Sequence, residues 1–171
     1  MKEFDFTLKF AFSEVSADAQ DYLALLFEAG CDDAIVGIGK QGRVALQFSR
    51  EAKDAYGAIS SAINDVKRAI PNARLIEATP DFVGLSDIAK LLGCSRQYIR
   101  KLMTENESFP LPVHSGKTEI WHLCRFLDWY EVEHKKQVEY TVREVASINM
   151  QINLANELSQ LDLETQHRVV P

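Results

Sequence analysis

A strict alternation of apolar and other side chains opens the chain. In the stretch FDFTLKFAFS, residues 4–13, the even positions are apolar up to Phe12, whereas the odd positions from Asp5 to Ala11 include Thr7 and Lys9. A period of two is typical of a strand with one buried face. The pattern therefore predicts a first strand whose phenylalanine face lies in a core.

Helical and strand patterns then alternate up to residue 80. The stretch ADAQDYLALLFEAG is predicted to be a helix, with Ser16 as its N-cap and Gly30 at its end. Strands AIVGIG and RVALQFS flank the turn KQG, and a helix that stops at Pro71 precedes the strand ARLIEAT. The apolar stripe of the first helix is predicted to consist of Ala19, Tyr22, Leu23, Leu26 and Phe27.

The resulting order βαββαβ predicts a ferredoxin-like domain over residues 1–80. The two helices are expected to cover the phenylalanine face of a four-stranded sheet. Its other face, which includes Thr7, Lys9, Ala45 and Gln47, is only mildly polar and is open to solvent or to another subunit.

Two short amphipathic runs joined by a glycine follow in LSDIAKLLGCSRQYIRKLM. Gly93 is the predicted pivot, Ser86 and Ser95 are the predicted N-caps, and Ala89 is small enough for two helices to approach closely. This is the sequence form of a helix-turn-helix, and its alternative is a helical hairpin that only packs. The second helix has no carboxylate between Ser95 and Met103, and the side chains predicted to point outward are Ser95, Arg96, Gln97, Arg100, Lys101 and Thr104.

The stretch FPLPVHSGKTEIW predicts a small β-hairpin, or wing, around Gly116. Its tip presents His114, Ser115 and Lys117. A closing helix, HLCRFLDWYEVEHKK, completes a predicted DNA-binding domain over residues 81–136. Residues 137–171 are predicted to form a long C-terminal helix and a tail. Thr141 and Glu144 are its expected capping box, and the apolar seam Val145, Ile148, Ile152 and Ala155 is expected to pack on another subunit or on the first domain.

The formal charge of −6 is unevenly distributed along the 171 residues. Residues 1–80 hold nine basic and twelve acidic side chains, residues 81–136 hold eight of each, and residues 137–171 hold two and five. The acidity thus lies outside the predicted DNA-binding domain, which keeps a local positive surface of the kind that phosphate contact requires. With 46% apolar residues and no long apolar run, the chain is expected to be a soluble, cytoplasmic protein without a membrane partner.

Residues 82 to about 130 resemble the AlpA and excisionase branch of the MerR-like winged helix-turn-helix regulators. The matching stretches are GLSDIAKLLGCSRQYIRKLM, FPLPV, and Trp121 followed by Phe126 and Trp129. The acidic stretch ENESF before the wing departs from that pattern. The resemblance implies a bacterial or phage transcriptional regulator, or a recombination directionality factor, that binds double-stranded DNA. By the same resemblance the DNA-binding residues are Ser95, Arg96, Gln97, Tyr98, Arg100, Lys101 and Thr104, with His114, Ser115 and Lys117 in the wing.

Other classes of function find less support in the residue pattern. The four histidines have no metal-binding i, i+4 spacing, the three cysteines form no CxxC pair and are expected to be buried thiols, and Asp32 and Asp33 are assigned to a turn. The chain is therefore expected to be neither an enzyme nor a binder of metals or cofactors. A homodimer is expected. The alternative function is an antitoxin-like or partner-binding protein, whose N-terminal domain captures another protein while the helix-turn-helix serves autoregulation.

Overall fold

The computed structural model describes residues 1–13 and 18–169. Within these ranges the chain is a mixed α+β protein, and its contacts divide it into two compact units. The first comprises Met1–Thr79 with Gln151–Pro171, and the second comprises Pro80–Met150. Residues 137–171, treated as one segment in the sequence analysis, are thus shared between the two units. The predictions for the cap Ser16 and for the loop around it lie outside the described residues.

The first unit contains a four-stranded antiparallel sheet. Its strands are β1 (Lys2–Ala11), β2 (Ala34–Ile38), β3 (Arg43–Ala52) and β4 (Arg74–Thr79), in the spatial order β2-β3-β1-β4. A short 3₁₀-helix, Ala19–Tyr22, leads into α1 (Leu23–Glu28), and α2 (Ala55–Ala69) connects β3 to β4. The elements therefore follow one another in the predicted order.

Alternation along β1 gives the sheet one apolar and one polar face. Phe4, Phe6, Leu8 and Phe10 are at most 2% exposed, and α2 packs on β1 and β3. Full burial of such a side chain contributes about 1.5–3 kcal/mol to folding, so this face is a main source of stability. The face with Thr7 and Gln47 has no comparable buried residues.

The first helix is shorter than predicted, and part of its predicted stripe is wrong. Leu26 is buried, but Leu23 is 40% exposed and Phe27 is 66% exposed. The prediction assumed one continuous α-helix. The chain instead begins with a 3₁₀ turn, which has three residues per turn, and α1 itself is only six residues long. The side chains that face inward are consequently Tyr22, which contacts Phe12, and Leu26.

The second unit is built around a two-stranded sheet and four helices. Its strands are β5 (Phe82–Val83) and β6 (Trp121–His122), and its helices are α3 (Leu85–Leu92), α4 (Arg96–Glu105), α5 (Leu123–His134) and the first part of α6 (Tyr140–Leu158). The largest buried side chains of its core are Trp121, Phe126, Ile88, Ile99 and Leu123. The last described helix of the chain, α7 (Leu163–Val169), belongs to the first unit.

Two of the predicted helix caps are wrong. Helix α3 begins after Gly84, two residues before Ser86, because the Asp87 carboxylate accepts a hydrogen bond from the Gly84 amide at 2.8 Å. Thr141 lies inside α6, which begins at Tyr140, so it cannot form a capping box with Glu144. At α3 the Asp87 side chain in the first turn therefore takes the place of the expected Ser86 cap. The sequence pattern does not distinguish a helix start at Ser86 from one at Gly84.

The buried side of α6 also differs from the predicted seam. Val145 is buried, but Ile148 and Ile152 are only partly buried and Ala155 is exposed. Two asparagines, Asn149 and Asn153, are buried instead. The Asn153 side chain both donates to and accepts from the backbone of Ala78 at 2.8 Å, within the first unit. Since β4 is an edge strand, this helix satisfies backbone groups that the sheet leaves unpaired.

Candidate nucleic-acid interface

Gly93 forms the turn between α3 and α4. Its backbone is left-handed, with φ of 65°, and the Cys94 amide donates to the Ala89 carbonyl at 2.9 Å to close the end of α3. Glycine adopts this conformation at little cost, whereas for other residues it costs about 1–2 kcal/mol. The tight reversal leaves only three residues between the end of α3 and the start of α4.

Helix α4 is anchored at its start and along one side. The Ser95 hydroxyl accepts a hydrogen bond from the Tyr98 amide at 3.1 Å, as predicted for an N-cap. Ile99 and Leu102 are buried in the core of the second unit. These contacts fix the rotation of the helix about its axis and determine which side chains reach solvent.

All of the residues of α4 and its cap that were predicted to point outward are exposed, namely Ser95, Arg96, Gln97, Arg100, Lys101 and Thr104. Tyr98, the other DNA-binding candidate on this helix, is exposed as well. Arg96 and Arg100 are four residues apart and so lie on one face of the helix. The Thr104 hydroxyl donates to the carbonyls of Arg100 and Lys101, so it retains only acceptor capacity for an external group. Lys101 lies 3.9 Å from the Glu105 carboxylate, a loose exposed pair that leaves its ammonium largely hydrated.

The wing is smaller than the predicted hairpin. A single bridge joins His114 to Ile120, closed by hydrogen bonds between their backbones, and residues 115–119 form the connecting loop. The next two residues pair with β5 rather than with the Leu111–Val113 region. The predicted tip residues His114, Ser115 and Lys117 are all exposed.

A cleft joins α4 to this loop. It has a volume of about 260 Å³ and is lined by Leu85, Arg96, Arg100, Met103, Gly116, Lys117, Thr118 and Glu119. Three cationic side chains from two separate segments thus meet around one concave surface that also holds a single carboxylate. The His114 ring lies over Gly116, where a Cβ would come within 2.8 Å of its Nε2 atom, so the loop is compact at this point.

A buried pair that the sequence analysis missed holds the base of the wing. The Nδ1 atom of His122 lies 2.7 Å from a carboxylate oxygen of Asp81, and neither side chain is more than 3% exposed. The Leu123 amide donates to the Asp81 carbonyl at 2.7 Å, and the Phe82 ring contacts the His122 ring at a tilt of 34°, with the ring centres 4.9 Å apart. The pair is 41 residues apart in sequence, so no local spacing indicates it.

Aromatic contacts fix the segment that enters the wing. Phe109, the last residue of the acidic stretch ENESF, is buried against Trp121, Phe126 and Trp129. The Trp121 indole donates to the Pro110 carbonyl at 2.9 Å. The segment that leads into the wing is therefore held in place by buried aromatic side chains, although the stretch ENESF that precedes it is acidic.

Comparison of the chain with models of protein families, with curated proteins and with solved structures finds no significant match. Among the described helices, none combines the length and the apolar character that crossing a membrane requires. Within residues 1–13 and 18–169, no three His, Cys, Asp or Glu side chains come together as metal ligands.

Proposed function

We propose that this chain is a sequence-specific, double-stranded DNA-binding protein that acts as a bacterial or phage transcriptional regulator. The observation that carries this proposal is the surface formed by α4 and the wing loop. It presents Arg96, Arg100 and Lys117 around one cleft, with the remaining polar side chains of α4 exposed beside them. The winged helix-turn-helix resemblance of residues 82 to about 130 supports the same function, with α4 as the recognition helix.

The chemistry of these side chains suits the major groove. Arginine at positions 96 and 100 can donate two hydrogen bonds to a guanine, and Gln97 can pair with an adenine in the same manner. Each such bidentate contact discriminates against a wrong base by about 1–3 kcal/mol. Lys101 and Lys117 then supply phosphate contacts, which set affinity and orientation but carry no base information.

The first unit is proposed to be a ferredoxin-like domain. Its order of elements and the antiparallel strand order β2-β3-β1-β4 support this assignment. Helix α2 covers the phenylalanine face of the sheet. The opposite face of the sheet would therefore be the surface through which this unit contributes to the regulator.

The decisive experiment begins with selection from a random duplex library, because the operator is unknown. Binding of the enriched duplex is then measured by fluorescence anisotropy over a range of salt concentrations. We expect Arg96→Ala with Arg100→Ala to weaken binding by at least about 100-fold, the equivalent of one to two lost base contacts.

A matched control removes two other cations of the same unit, through Arg125→Ala with Lys136→Ala. Both residues are exposed and lie outside α4 and the cleft. This variant has the same net charge as the first one, and we expect it to bind within about threefold of the wild type. Failure to enrich any duplex, or equal losses in the two double variants, would refute the proposed interface.

A further inference from the structure

The open face of the first unit's sheet is divided into an acidic end, a neutral middle and a basic end. Odd-numbered positions of β1 and β3 point to this face, since the even-numbered ones are buried. Glu3, Asp5 and Glu51 occupy one end. Lys9 and Arg43 occupy the other, and β4 adds Arg74.

A neutral row crosses all four strands between these ends. Thr7 pairs with Gln47 on β3 and with Thr79 on β4, and Gln47 pairs in turn with Ile35 on β2. Ile35, on the edge strand β2, is a large apolar side chain that is nevertheless 72% exposed. The row is therefore free of charge and includes one large exposed apolar group.

At the acidic end, the Asp5 carboxylate accepts a hydrogen bond from the Ser49 hydroxyl opposite it on β3, at 2.7 Å. Glu3 and Glu51 are directly opposite each other in the β1–β3 register, an arrangement that destabilises an antiparallel pair. At the basic end, by contrast, the small residues Gly37 and Ala45 leave a cleft of about 470 Å³ whose cationic lining residues are Lys9, Lys40 and Arg43. Glu77 pairs with Lys9 at 2.7 Å and partly neutralises that lysine, but Arg43 remains exposed.

These positions are symmetric about the neutral row. Gln47 lies midway between Arg43 and Glu51, and Thr7, its register partner, lies midway between Lys9 and Asp5. A two-fold axis along this row would place Arg43 over Glu51 of a second copy and Lys9 over its Asp5. It would also bring the two Ile35 side chains together near the axis. Closed dimers require such self-complementary surfaces.

We propose that the open face of the sheet is a homodimer interface, in which two copies stack face to face with antiparallel β1 strands about the Thr7–Gln47 row. An axis parallel to the strands would instead oppose like charges, so the charge pattern selects one of the two possible arrangements. The proposal concerns the first unit alone and does not depend on DNA binding by the second.

The area of the face predicts a weak and salt-sensitive dimer. The four strands contain 10, 5, 10 and 6 residues. At about 4.8 Å between strands and about 3.3 Å per residue they cover roughly 500 Å², less than the roughly 800 Å² per partner of a typical stable interface. We therefore expect a dissociation constant in the micromolar range, raised by added salt.

Charge reversal tests the proposed pairing. Sedimentation equilibrium of the full chain at low salt should show the dissociation constant rising at least about tenfold for Arg43→Glu and for Glu51→Arg, because each variant opposes like charges at two symmetric places. A mixture of the two variants should restore dimers. In the mixed dimer, the glutamate introduced at position 43 faces the arginine introduced at position 51, while the unaltered Arg43 of one copy faces the unaltered Glu51 of the other. That restoration also shows that both variants are folded.

Lys67→Glu is the matched control, because it makes the same charge change on α2, on the other side of the sheet. It should leave the dissociation constant within about twofold of the wild type. A monomeric wild-type chain at the highest soluble concentration would overturn the proposal. So would a dimer that neither reversal weakens, or a mixture that does not recover. None of these outcomes bears on whether α4 binds DNA.

Discussion

Arg50 is the most highly connected charged residue described in the first unit. Its guanidinium forms two hydrogen bonds with Asp33, at 2.7 and 2.9 Å, and others with Asp65, Ser61 and the Gly30 carbonyl. Burial lowers the pKa of Arg50, but the hydrogen bonds to Asp33 and Asp65 outweigh this effect and raise it overall. The side chain therefore stays charged and joins β3, α2 and the turn before β2.

Replacing Arg50 by methionine should destabilise the protein by about 3 kcal/mol, because two carboxylates lose their buried partner. Arg68→Ala provides the comparison, since Arg68 also binds Asp65 but its side chain is 67% exposed. We expect that change to cost less than about 1 kcal/mol. Urea unfolding of both variants measures the two values, and equal losses would contradict the role assigned to Arg50.

The three thiols should differ in reactivity. Cys31 and Cys124 are buried, as expected from the sequence, whereas Cys94 is only partly buried. Burial, followed by the nearby Asp65 carboxylate, raises the pKa of Cys31 to about 11 from its ordinary 9.0. In the folded protein a disulfide reagent should therefore modify Cys94 first, and Cys31 should react only on unfolding.

A raised thiol pKa also gives stability a defined pH dependence. Between pH 9 and about pH 11 the unfolded Cys31 loses its proton while the folded one keeps it, so the stability that it contributes is complete below pH 9 and is lost as the pH rises towards 11. The variant Cys31→Ala should show a smaller alkaline loss in urea unfolding. An identical alkaline profile would contradict the assignment.

At the scale of elements, α6 is notable for covering a strand edge with side-chain amides. The Asn153 side chain offers one hydrogen-bond donor and one acceptor to the backbone of Ala78, as a neighbouring strand would. Asn156 adds longer contacts to the carbonyls of Leu75 and Ile76. An uncovered edge strand is a template for pairing with other chains. The helix thus protects the edge without extending the sheet.

Asn153→Ala should cost about 2–4 kcal/mol, because it leaves a buried amide and a buried carbonyl of Ala78 unsatisfied. Hydrogen exchange gives a direct readout, since the Ala78 amide should lose protection while the amides of β1 and β3 keep theirs. Asn156→Ala is the control, and its 3.3 and 3.4 Å contacts should contribute less than about 1 kcal/mol. Unchanged exchange at Ala78 would show that the contact does not protect this edge.

Local patterns were sufficient to predict most elements of the fold and the exposed surface of α4. The alternation in β1, the left-handed glycine at position 93 and the cap at Ser95 each depend on neighbouring residues, so a short window contains the relevant information. The Asp81–His122 pair and the Asn153–Ala78 contact join residues 41 and 75 positions apart. Nothing in their spacing indicates them, and buried asparagines contradict the apolar seam that periodicity suggests for α6.

For the whole molecule, the distribution of charged side chains matters more for the proposed DNA binding than the net charge does. The net charge of −6 opposes non-specific association with DNA, whereas α4 and the wing loop carry a local excess of cations. Each subunit would bring four cations to the DNA, namely Arg96, Arg100, Lys101 and Lys117. A dimer would bring twice as many.

This difference should appear in the salt dependence of DNA binding. With the two phosphate contacts of Lys101 and Lys117 made by each subunit, a plot of the logarithm of the binding constant against the logarithm of salt concentration should have a slope of about −4 for a dimer and about −2 for one subunit. We expect the wild type to approach the larger value and Arg43→Glu the smaller one. Anisotropy titrations on the selected duplex measure both, and equal slopes would show that the sheet face does not couple two DNA-binding subunits.

Both tryptophans of the chain lie in the second unit, where Trp121 is buried and Trp129 contacts Phe109 and Phe126. Selectively excited tryptophan emission consequently reports on that unit alone, whereas far-ultraviolet circular dichroism contains the signal of the sheet and helices of both. Two denaturation curves from the same sample, one for each signal, therefore separate the two units without any label. If the curves coincide, the chain unfolds as one cooperative body. If they diverge, the emission curve gives the stability of the second unit by itself.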